Sequence, residues 1–191
     1  MLNELKSFGQ TEGYFEIKRI GDFDNAQKEG FSHINVVAID FDKTKTKVCN
    51  ELNLNCYKSC DALDIIDTKD KINFIEFKEL EDRTNIEDWI ENLDFPQKIK
   101  DSREILFNII RKRNFVHKDK KTKFISCEKN VIISFSLSST ASNRLVSLLR
   151  WTTIKAKIEG QFNDNYIQGE KFNEPVCIRM NDFNLKYSTY A

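Results

Sequence analysis

Glycine and proline are scarce in this chain, six and two residues among 191. That scarcity excludes a collagen-like chain and argues against a long linker or disordered tail. No run approaches the roughly 18 apolar residues that cross a bilayer. The opening segment MLNELKSFGQTEG lacks the basic-then-apolar order of a signal peptide. A cytoplasmic protein with no membrane partner is therefore expected. No Gly-rich phosphate loop occurs, which speaks against an NTPase. Histidine appears only at 33 and 117, and cysteine at 49, 56, 60, 127 and 177. An odd cysteine count argues against a disulfide framework, and the spacing of Cys49, Cys56 and Cys60 is not that of a zinc ribbon.

What is abundant is core material and charge. Hydrophobic residues make up 40% of the chain, with 15 Phe, enough for one well-packed domain. Lys plus Arg and Asp plus Glu each number 30, so the net charge is zero, but the balance is uneven along the chain. Residues 1–97 carry a net charge of −9, residues 98–158 of +11 and residues 159–191 of −2. The basic block is either a polyanion-binding face or a set of charges that the fold pairs with the acidic blocks.

Hydrophobic periodicity predicts strands over 13–20, 33–41, 61–66, 71–80 and 175–180, with 123–137 a further hairpin or bent strand. Residues 43–59 read as a polar connection or one that includes a helical turn. Helices are predicted over 85–94, over 97–113 with Ile99, Ile105, Leu106, Ile109 and Ile110 inward, and over 140–158, ended by Gly160. Residues 114–123 read as a basic loop. The class is α+β (mixed α/β), a central mixed β-sheet flanked by helices. One domain spans 1–191, with a core over about 34–137 and a C-terminal helix and strand as its extension. Asp40-Phe41-Asp42 reads as a strand end. The serines at 134, 136, 138 and 139 read as strand and cap residues, with no histidine near them in sequence to activate a nucleophile.

One stretch carries chemistry: Cys60-DALDIIDTKDKINFIEFKEL. Strand alternation puts Ile72, Phe74, Glu76 and Lys78 on one face of the second strand. Two apolar residues followed by a carboxylate and an ammonium suit neither a solvated face nor a core face. The opposite face is also largely apolar, so the strand is predicted to be central. If Ile66 pairs with Lys71, then Ile65 meets Ile72, Leu63 meets Phe74, and Asp61 stands opposite Glu76 at about 5 Å between Cβ atoms. A one-residue slip would turn Leu63 and Ile65 to the wrong face. Asp61, and not Asp64, is thus the partner of Glu76. Two carboxylates this close call for a cation, and oxygen ligation favours Mg²⁺ or Mn²⁺, with the backbone carbonyl of Phe77 as a third ligand. Lys78 is placed to orient an attacking water and to balance charge on a phosphorane-like transition state.

An aspartate, a strand, a turn and a hydrophobic-Glu-x-Lys strand together resemble the PD-(D/E)XK, or restriction-endonuclease-like, nuclease superfamily; the layout is similar to that of archaeal Holliday-junction resolvases. The match covers some twenty residues, and Cys60 stands where many members have proline. The resemblance implies catalytic Asp61, Glu76 and Lys78. It also implies an acidic residue on a preceding helix, for which Glu51 is the candidate, and a Gln or Lys on the next helix, for which Gln97 and Lys98 are candidates. The expected activity is metal-dependent phosphodiester hydrolysis, on DNA in preference to RNA, in a defence, mobile-element or repair setting. The alternative is a catalytically inactive member of the fold that binds nucleic acid or protein. Lys100, Arg111, Lys112, Arg113, Lys118, Lys120 and Lys121 are the candidate nucleic-acid contacts, and a homodimer or a protein partner is compatible with either reading.

Overall fold

The computed structural model describes residues 2–26, 30–54, 58–80, 86–112, 118–137, 144–162, 170 and 172–191. Its six strands are β1 (Ile17–Arg19), β2 (Val37–Asp40), β3 (Ala62–Ile66), β4 (Lys71–Leu80), β5 (Glu128–Leu137) and β6 (Val176–Arg179). Its helices are α1 (Leu2–Thr11), α2 (Phe41–Leu52), α3 (Ile86–Leu93), α4 (Phe95–Lys112), α5 (Lys118–Ser126), α6 (Arg144–Phe162) and α7 (Phe183–Tyr187). The strands form one mixed sheet in chain order, antiparallel from β1 to β4 and parallel from β4 to β6. The parallel step from β4 to β5 runs through α3, α4 and α5, as a parallel connection requires a crossover. The class is the mixed α+β expected from the sequence.

The hairpin has the register that its apolar residues dictate. Ile66 pairs with Lys71, Ile65 with Ile72 and Leu63 with Phe74. A single 3₁₀ turn over Asp67–Lys69 closes it, with Asp70 left-handed at φ 49°, a conformation that Asp accepts more readily than most residues. Strand β4 is central and buried on both faces. Ile72 and Phe74 join a core with Ile99, Ile105, Leu106, Ile109 and Ile110 of α4 and with Ile154 and Ile158 of α6. Ile75 and Phe77 join a second core, where Phe77 stacks on Phe31 at 4.9 Å and meets Phe183 edge-on at 4.9 Å.

Several expectations are corrected. The polar connection 43–59 is largely helix α2. Asp40 caps it by accepting from the Lys43 N–H (3.3 Å), and Phe41, Thr44, Val48 and Cys49 form its buried stripe. Lysines and Thr46 on its solvent side, and the polar Thr44 within the stripe, hid that period. Part of the basic loop 114–123 is helix α5, and of the hairpin or bent strand expected over 123–137 the structure has a strand, one unbroken run over Glu128–Leu137 after the end of that helix. Helix α6 runs through Gly160 to Phe162, and α1 occupies a segment given no element above. Residues 114–117 and the cap candidates Ser138, Ser139 and Thr140 lie outside the described residues.

Two buried polar groups tie the layers together. Lys129 of β5 is fully buried; its ammonium donates to the carbonyls of Phe124 (2.8 Å), Ile125 (3.1 Å) and Cys127 (3.1 Å) and lies 3.3 Å from the Glu170 carboxylate. It thus satisfies carbonyls at the end of α5 from within the sheet. On the other face, Tyr187 of α7 donates to Asp64 (2.7 Å) and accepts from Asn73 (2.9 Å). Burial pushes the Asp64 carboxyl above its ordinary value, partly offset by the Tyr187 hydroxyl.

Lys129→Met strands those carbonyls and leaves Glu170 without this buried cation; it should cost about 3 kcal/mol or more, measured by urea unfolding. Because the folded form holds the Asp64 proton more tightly than the unfolded chain, this group favours folding at low pH. That contribution fades as pH rises from the ordinary carboxylate value through the raised one. Asp64→Asn should therefore remove part of the decline in Tm over that range; a Tm profile parallel to wild type would refute it.

Candidate metal centre at the open end of the hairpin

The register that pairs Ala62 with Ile75 sets Asp61 opposite Glu76 at the hairpin's open end. Asp61 is anchored on three sides. Its backbone carbonyl accepts from the Phe41 N–H (3.2 Å), and its Oδ2 accepts from the Phe77 N–H (2.6 Å). The preceding residue, Cys60, is buried and donates its N–H to Ser102 Oγ of α4 (2.9 Å). A proline at 60 could not make that bond.

Glu76 is only 2% exposed. Its Oε1 receives the Lys98 ammonium of α4 and lies 3.2 Å from Lys78 Nζ, which also stands 3.7 Å from Asp61 Oδ2. One ammonium thus spans both carboxylates. Glu76 Oε2 is buried with no hydrogen-bond partner among the described residues. Burial and the neighbouring Glu76 carboxylate hold the Asp61 carboxyl well above the usual range, against the opposing pull of Lys78, Lys98 and the Phe77 N–H. A residue in a strand directs its N–H and C=O to the same edge. The Phe77 carbonyl is therefore aimed, like its N–H, toward the Asp61 side.

Chemically, these groups fit a small oxygen-seeking divalent ion. The unpartnered Glu76 Oε2, the Asp61 carboxylate and the Phe77 carbonyl are hard donors at one strand end. Among the described residues no three His, Cys, Asp or Glu side chains gather as a ligand cluster. An ion here would therefore keep several waters, as Mg²⁺ commonly does.

The other sequence candidates divide. Lys98 joins the centre. Gln97 turns away to Asp101 (2.6 Å) and, with Lys100, lines a separate cavity beside α6. Glu51 lines the same cavity as Asp61, of about 550 Å³, but its carboxylate is held by the Tyr14 hydroxyl (2.6 Å) and the Lys112 ammonium. These partners hold Glu51 below the usual carboxylate range. Lys112 is thereby committed to an ion pair, while exposed Arg111 lies over the Phe107 ring at 4.9 Å. Both sit about 20 Å from Lys98 along α4. Arg113 and the side chains of Lys118, Lys120 and Lys121 lie outside the described residues.

Sequence reasoning missed Asp40 and Asp42, which line the Asp61 cavity, and Ser102, which fixes Cys60. A signal for the first pair existed, since a strand ending at Asp40 beside β3 brings Asp40 level with Ala62. Ser102 carried no such signal, being one polar residue on an amphipathic helix. Compared with family models, curated proteins and solved structures, the chain has no match.

Ser102→Ala leaves the buried Cys60 N–H without its acceptor and should cost about 1–3 kcal/mol. Denaturant unfolding checks this, and an unchanged midpoint would show that Cys60 is held by something else.

Proposed function

We propose that the protein is a metal-dependent nuclease that hydrolyses phosphodiester bonds, with Mg²⁺ or Mn²⁺ held by Asp61, Glu76 and the Phe77 carbonyl. The observation that supports it best is a buried carboxylate with one oxygen unpartnered, facing a second carboxylate across a register fixed by apolar pairs, with Lys78 touching both. The PD-(D/E)XK resemblance of Asp61 and Ile75-Glu76-Phe77-Lys78 agrees with this reading, and through it DNA is preferred to RNA as substrate.

In this reading the divalent ion supplies Lewis-acid polarisation of the scissile phosphate. The rest falls to the chain's own groups. Glu76, on β4, and Asp61, fixed by the Phe77 N–H, are the side chains that would hold the ion. Lys78 Nζ, between the carboxylates, orients the attacking water and offsets the negative charge that builds on the phosphoryl oxygens.

A second reading is a binding module without catalysis. It is favoured by the two ammonium groups on Glu76 and by the absence of a third acidic ligand among the described residues.

Plasmid and single-stranded substrates incubated with Mg²⁺ or Mn²⁺ separate the two. Wild type should cleave, Glu76→Ala should fall to background, and Lys78→Ala should lose about 10²-fold or more. Cleavage equal in all three overturns the site. Nucleic-acid binding without cleavage by wild type selects the binding module.

A further inference from the structure

The Glu76 carboxylate is loaded unevenly. Both cations sit on Oε1, while buried Oε2 has no hydrogen-bond partner among the described residues. The two lysines are not equivalent. Lys78 is on β4 itself and is shared between Glu76 and Asp61. Lys98 comes from the first turn of α4, and its ammonium pairs with Glu76 and no other carboxylate among the described residues. Its side chain is 17% exposed, so a route to solvent is open. A lysine stem is long and flexible, and its ammonium can leave without moving either backbone.

A divalent ion bound to Glu76 would sit about 2 Å from a carboxylate oxygen. At that range it repels any ammonium on the same carboxylate. Moving Lys78 would also break its contact with Asp61, whereas moving Lys98 breaks one ion pair. We infer that Lys98 is an internal competitor for the metal: ion and ammonium contest Glu76, so Lys98 sets the affinity of the centre for its ion and is displaced as the ion enters. This rests on the metal centre proposed above but concerns ion loading, not cleavage.

The test is Mn²⁺ titration of the chelator-treated full chain, read from the paramagnetic resonance of free Mn²⁺, with no substrate present. Lys98→Met should bind Mn²⁺ about tenfold more tightly than wild type, equivalent to about 1.4 kcal/mol. Lys98→Arg, which keeps the charge, should bind no more tightly than wild type. Lys58→Met removes a surface lysine paired with Asp94 just before α4 and should leave the affinity unchanged. Should Lys98→Met fail to fold, Lys98→Gln takes its place and carries the same expectation. Equal or weaker binding by the neutral variant overturns the competition, as does an equal gain in Lys58→Met, which would reveal a general field effect. If wild type and every folded variant bind no Mn²⁺, the metal centre itself fails, an outcome distinct from wild-type binding that Lys98 does not alter.

Discussion

Apolar pairing between β3 and β4 governs where Asp61 and Glu76 lie. Leu63 against Phe74 and Ile65 against Ile72 bury one face of the hairpin, and Ala62 beside Ile75 buries the other. Because strand side chains alternate with a period of two, any slip would turn apolar residues to the wrong side. The same constraint carries Asp61 and Glu76 to one face. The carboxylates are brought together by the burial of their neighbours, against their own repulsion; burial first, and the Glu76 charge second, push the Asp61 carboxyl well above its ordinary range.

Among the described residues, part of the charge division along the chain resolves into pairing. Cations of the basic block neutralise carboxylates from elsewhere: Lys98 meets Glu76, Lys112 meets Glu51, and Arg103 and Lys129 meet Glu170. Helix α4 supplies three of these from separate turns and so acts as an internal counter-charge for β4, α2 and Glu170. Lys98–Glu76 ties α4 to β4, and Lys112–Glu51 ties α4 to α2. The cost is that these cations are drawn inward, which leaves fewer of them for a phosphate backbone.

The buried polar groups follow a common rule. Lys129 ends α5 from inside the core by taking three carbonyls, and Tyr187 fastens α7 through Asp64 and Asn73. A buried polar atom is tolerable when partnered, and most of these are. Glu76 Oε2, with no hydrogen-bond partner among the described residues, breaks the rule at the open end of the hairpin.

The sequence by itself determined the hairpin, its register, the central place of β4, the buried stripe of α4 and the choice of Asp61 over Asp64. All are local patterns, in which side-chain alternation or helical period ties neighbours to one face. Only the tertiary structure decided which distant groups attend the centre. Lys98, Gln97 and Lys100 open the same helix and are equivalent in sequence, yet the packing of α4 on β4 sends Lys98 to Glu76 and the other two elsewhere. Helix α2 and the run of β5 were equally hidden, because polar solvent faces mask a helical period and a buried lysine reads as exposed until its partners are known. Those partners lie far away in sequence, and only the folded chain brings them within reach.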